Sequence, residues 1–141
     1  MTTATPVQRW SAAILIGLSG ALVMYAMLGR LGKDAEIVVF AFAGAFLAGI
    51  WTGRYFGHPG GDGVLEATAG AAFATVLGVI LATLFLGIFI GKGLGGILFT
   101  LILVPPVVAM WLVFSGTGPL VWLFAFAITH TIMRLLRKHG V

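Results

Sequence analysis

Five uninterrupted apolar runs, each about as long as a bilayer's hydrocarbon core requires, constrain this chain more than any other feature. A helix rises about 1.5 Å per residue, so a core of about 30 Å needs about 20 apolar residues. The runs cover residues 10–29, 37–53, 64–90, 94–114 and 119–136. Of the 141 residues 60% are hydrophobic and the mean hydropathy is +1.14, well above the ~45–50% apolar share of a soluble domain. The solvent for such a surface is lipid. Lipid offers no partners to the backbone, so each run must satisfy its own N–H and C=O groups as a helix. The expected fold class is all-α, a polytopic transmembrane helical bundle of five spans in one membrane domain covering residues 1–141.

The connections "GRLGKDAE", "GRYFGHPGGDG", "GKG" and "SGTG" are too short to hold a soluble domain. The opening "MTTATPVQR" precedes a full-length apolar run with no A-x-A-like site at its end, so that run is expected to stay as the first span rather than leave as a signal peptide. With five alternating spans, Arg30, Lys33, Lys92, Arg134, Arg137 and Lys138 fall on one side and Arg9 and Arg54 on the other. The positive-inside rule then places the N-terminus outside and the C-terminus in the cytoplasm. A four-span alternative, with the fourth run broken at Pro105-Pro106, divides the basic residues five to three. Asp34 and Glu36, Asp62 and Glu66, and Gly118-Pro119 suit helix N-termini, and the basic tail suits a helix C-terminus.

Small residues recur every four positions. Ala41, Ala45, Gly49 and Gly53 form one ridge, Gly70, Ala74, Gly78 and Ala82 a second, and Ala13, Gly17 and Ala21 a third. Because lipid does not push helices together, close approach along such ridges supplies packing energy, either within the chain or against another subunit. Phe40, Phe42, Phe46, Phe85 and Phe89 are expected on the opposite faces, toward lipid, pigment or protein. Trp10, Tyr25, Trp51, Tyr55, Trp111 and Trp122 are expected as interfacial anchors.

Chemistry-bearing residues are few. No Asp, Glu, Lys or Arg lies in the middle of a span, against a proton pump built on a membrane carboxylate. Cysteine is absent, as are phosphate-loop, HExxH and GxSxG motifs. His130 is the one histidine within a span, and is read as an interfacial side chain or as a single axial ligand to haem or a pigment; five alternating spans put His58 across the membrane from it. Pro105 and Pro106 remove the helix partners of the Leu101 and Ile102 carbonyls, making a fixed kink or a hinge, with Thr100, a neighbouring helix or water as replacement donors. The segment "RYFGHPGGDGVLE" concentrates His58, Asp62 and Glu66, and is read as a structural or partner-facing loop in preference to a metal site, which would need a third ligand.

The expected function is a non-enzymatic accessory, assembly or stabilising subunit of a larger complex in a bacterial inner membrane, with no cofactor and no nucleic-acid partner. Its partners would be the lipid bilayer and other membrane subunits or further copies of itself. Two alternatives are a small oligomeric channel or transporter using the Pro105-Pro106 kink, and a cofactor-binding subunit with His130 as axial ligand.

Overall fold

The computed structural model describes residues 5–29, 35–89 and 93–140. These are almost entirely helical: α1 (Pro6–Leu28), α2 (Ala35–Thr52) continued by a short 3-10 turn (Gly53–Tyr55), α3 (Gly60–Phe89), α4 (Gly93–Phe114) and α5 (Gly118–Lys138). All five helices are long and apolar enough to cross a membrane, the character of an integral membrane protein in contact with lipid. Asp34, the basic residues Arg30, Lys33 and Lys92, and Ile90, the expected end of the third span, lie outside the described residues.

The start of α1 is set by local chemistry. The Thr5 hydroxyl accepts from the Gln8 N–H at 3.2 Å, the Gln8 side chain accepts from the Thr5 N–H at 3.3 Å, and Pro6 occupies the first turn, where a missing N–H costs nothing. The helix stops at Gly29, whose φ of 70° suits glycine and whose N–H bonds to the Tyr25 carbonyl.

Helices α1, α2 and α3 form an antiparallel layer with α2 in the middle. The small-residue ridges are its contact lines. A β-carbon added at Gly49 would stand 2.7 Å from the Ala13 Cα, and one added at Gly53 would stand 2.5 Å from the Ala12 Cβ. On the other side of α2, a β-carbon at Gly44 would lie 2.5 Å from both the Gly78 carbonyl oxygen and the Ala82 nitrogen. The backbones therefore meet almost directly, and dispersion between them replaces the hydrophobic drive that lipid cannot supply. Hydroxyls inside the layer return to their own helices: Thr52 donates to the Ala48 carbonyl and Thr83 to that of Val79, satisfying polar groups that hydrocarbon would leave bare.

The path of α4 and α5 departs from simple alternation. Gly87 near the end of α3 packs on Ile97 and Thr100 near the start of α4, so α4 runs back along α3. In α5, Trp122 donates to the Thr75 hydroxyl at 2.9 Å in the middle of α3, Thr129 meets Ser19 of α1 at 3.3 Å, and Met133 packs on Gly57. Helix α5 thus lies antiparallel to α1 and finishes beside the end of α2. Consecutive helices α4 and α5 run in the same sense, and 115–117 is a joint rather than a hairpin turn. The N-terminal part of α1 and the C-terminal part of α5 both meet the end of α2, through Ala12 beside Gly53 and Arg137 on the Arg54 carbonyl. Around Pro105-Pro106, where the four-span alternative puts its break, α4 remains helical.

The core sits where α1, α2, α3 and α5 converge, built from Ala12, Ile16, Ala45, Ala67, Ala71, Ala74 and Met133 around the side chain of Phe56. Trp122, expected as an interfacial anchor, is instead an interior hydrogen-bond donor. Trp122→Phe should lower stability by about 0.6 kcal/mol and by no more than about 1.7 kcal/mol, the average and the maximum for interhelical hydrogen bonds in a membrane bundle, as read by detergent-denaturation midpoint with helix content unchanged.

Candidate functional site

The polar residues of the α2–α3 connection and of the α5 C-terminus converge at one end of the bundle. Phe56 is buried, which fixes the connection; Gly57 follows at φ 86° and brings its backbone against Met133 and Arg134. The Gly57 N–H donates to His130 Nδ1 at 3.3 Å. Two turns further along α5, Arg137 donates to the Arg54 carbonyl at 3.0 Å, and that same carbonyl is 3.0 Å from His58 Nε2. Glu66 on α3 lies 3.8 Å from His58 Nε2. Arg54 donates to the Tyr55 hydroxyl at 2.7 Å, with its guanidinium 4.8 Å from the centre of the Tyr55 ring.

These bonds assign the histidines. A carbonyl and a carboxylate both accept, so His58 Nε2 carries a proton; His130 Nδ1 accepts, so in neutral His130 the proton is on Nε2. An axial ligand binding through Nε2 would require the opposite tautomer and would set the Nδ1–H against the Gly57 N–H. Among the described residues no group of three His, Cys, Asp or Glu side chains is placed to hold a metal. The chemistry of this end is that of a clamp with a basic outer surface: α5 is strapped to the α2–α3 connection, and Arg54, Arg134 and Lys138 remain exposed around it.

No known protein family, curated protein or solved structure matches this chain. The site is therefore read from its geometry. His58 and His130, expected on opposite sides, are neighbours. Asp62 and Glu66 are exposed in the first two turns of α3, and the glycines Gly60, Gly61 and Gly63, expected as loop, are already helical, so the connection shrinks to Phe56–Pro59. Arg137 was visible only as a tail charge. The spacing of His130, Arg134 and Arg137, four and three residues apart, did place them on one helix face, but nothing in the sequence said what that face would meet.

Of the two ridges, Ala41, Ala45, Gly49, Gly53, Gly70, Ala74 and Gly78 are buried and Ala82 is half-buried. Phe40 and Phe89 pair at 5.2 Å, and Phe40 turns inward to an internal cavity instead of outward. At the kink, Thr100 donates backward to the Gly96 and Ile97 carbonyls, so it does not replace the lost partners of Leu101 and Ile102. Among the described residues no side chain donates to either carbonyl.

Proposed function

We propose that this chain is a non-enzymatic accessory or assembly subunit of a larger complex in a bacterial inner membrane, and that the outer face of α4 meets the partner. The observation that carries the reading is how little of α4 the chain itself uses: of its residues only Val108 is buried. Packing is what holds helices together in lipid, and this helix also carries two carbonyls stripped of their helix donors by Pro105 and Pro106. Ile102 beside them is 74% exposed. A partner helix would supply both the packing and a donor. The transport alternative gains no comparable support, since the cavity between the helices has an apolar lining.

The orientation belongs to the same proposal. Arg9, Arg54, Arg134, Arg137 and Lys138, five of the eight basic residues of the sequence, belong to the clamp end. The positive-inside rule puts the clamp end in the cytoplasm. Reporter fusions at residue 5 and at residue 140 should both report a cytoplasmic location, and opposite locations would overturn this arrangement.

The partner is tested by a photo-crosslinking residue at position 102 in intact membranes, with position 14 on exposed α1 as the comparison. A discrete protein adduct from position 102, and a stoichiometric companion on mild-detergent purification, is the expected result. A chain that runs alone and crosslinks only to lipid removes the proposal.

A further inference from the structure

One bond of the clamp depends on the charge state of an imidazole. The Gly57 N–H donates to His130 Nδ1 at 3.3 Å, and Gly57 is buried, so water does not replace that bond in place. Neutral imidazole accepts at one nitrogen; imidazolium donates at both and accepts at neither. We infer that the clamp is a pH-sensitive latch: a proton taken from solvent by His130 Nδ1 sets two donors face to face, and the C-terminal turns of α5 leave the α2–α3 connection. The other clamp bonds do not reverse in this way. Arg137 donates to the Arg54 carbonyl whatever the state of His130, and His58 Nε2 already carries its proton toward that carbonyl and Glu66.

The charges around His130 act in the same direction. Along α5 its ring stacks on Phe126 at 6.1 Å, Arg134 follows one turn on, and Arg137, Lys138 and His139 lie beyond. The α2–α3 connection brings His58 to it, the 3-10 turn brings Arg54, and α1 brings Arg9, whose carbonyl is near Gly53. Helix α3 brings Asp62 and Glu66, but Glu66 stands against His58, and among the described residues no carboxylate lies within ion-pair distance of His130. A positive charge on His130 therefore arrives among cations with no acid of its own to pair with, and like charges repel. The sign follows. The clamped state is the one with neutral His130, so its hold is complete above the titration of that imidazole and is lost as pH falls through it. Met133 leaves with α5, and the Phe56 side chain it covers is then open on that side.

The sequence contains no cysteine, so nitroxides attached through Val64→Cys on α3 and Leu135→Cys on α5, both exposed positions, report the separation of the two helices in the full chain in lipid nanodiscs. Between about pH 8 and about pH 5, the span over which imidazole titrates, the population at the clamped distance should fall by at least half and recover when the pH is restored. His130→Asn keeps an acceptor near the Nδ1 position but gains no proton, and should hold the clamped distance throughout. A distance indifferent to pH, or a response that survives His130→Asn, overturns the inference. If His130→Asn does not fold, His58→Gln with His139→Gln leaves His130 as the one histidine of the chain. The distance change should persist in that protein, with the same midpoint as the His130 imidazole nitrogen resonances followed by NMR; loss of the change, or separate midpoints, overturns the inference. Both readouts use the chain without a protein partner, so their failure is distinct from failure of the subunit proposal.

Discussion

Replacing Gly44 by leucine should abolish the folded bundle. A β-carbon there would sit 2.5 Å from the Gly78 carbonyl oxygen, 2.5 Å from the Ala82 nitrogen and 2.9 Å from the Ala82 Cα. All three are backbone atoms of α3, so no side-chain rotation relieves the overlap, and α2 and α3 must separate. Overpacking of a well-packed interior costs about 1–3 kcal/mol where neighbours can shift; with backbone on the receiving side the cost lies at or beyond the top of that range. Separation would also forfeit the neighbouring Gly78–Ala45 contact. The expected outcome is loss of the monodisperse peak on size exclusion and of a cooperative denaturation transition. Gly95→Ala on α4, where nothing lies within 4 Å of the added carbon, should behave as the unaltered protein. A Gly44→Leu protein as stable as that control would show that the helices are not in backbone contact.

The second large effect is expected at Gly57. Its φ of 86° lies in the left-handed region, which costs an L-residue about 1–2 kcal/mol. A β-carbon would additionally meet the Met133 carbonyl carbon at 2.6 Å and its oxygen at 2.7 Å. Gly57→Ala therefore prises the end of α5 from the connection and breaks the Gly57–His130 and Arg137–Arg54 bonds together. Trypsin cleavage after Arg134, Arg137 and Lys138 in mild detergent should accelerate at least tenfold, while α1–α3 contacts persist. Unchanged cleavage would mean that the clamp does not hold α5.

Much of this was legible in the sequence, and for physical reasons. Span lengths follow from hydrocarbon thickness, so the five helices begin and end within a few residues of the expected runs. Small residues at every fourth position mark faces for close approach, within the chain or against another subunit, and Gly49 and Gly78 stand against the backbones of Ala13 and Ala45. The Thr5–Gln8 capping box was also there to be read, in Thr-Pro-x-Gln, although hydropathy alone starts that helix at Trp10. The direction of α5 was not legible. Alternation is a rule about membranes crossed completely, and "SGTG" carries no signal that separates a hairpin from a joint. That one uncertainty propagated into the site, because it placed His58 and His130 apart. Trp122 was misplaced for a related reason: its position near a span's start says little about depth when the span begins beside the middle of α3.

The meeting of Ser19 with Thr129, 110 residues apart, also has a temporal meaning. Helices α1, α2 and α3 pack on their immediate sequence neighbours, so that layer can assemble as it leaves the ribosome. The slot around Phe56 has no such early completion. Its far wall is Met133 of α5, made after α1–α4, and the largest buried side chain of the core waits until then for that neighbour. The Phe56 slot is therefore the part of the core that closes last: without α5 the layer of α1, α2 and α3 lacks the Met133 wall that covers it.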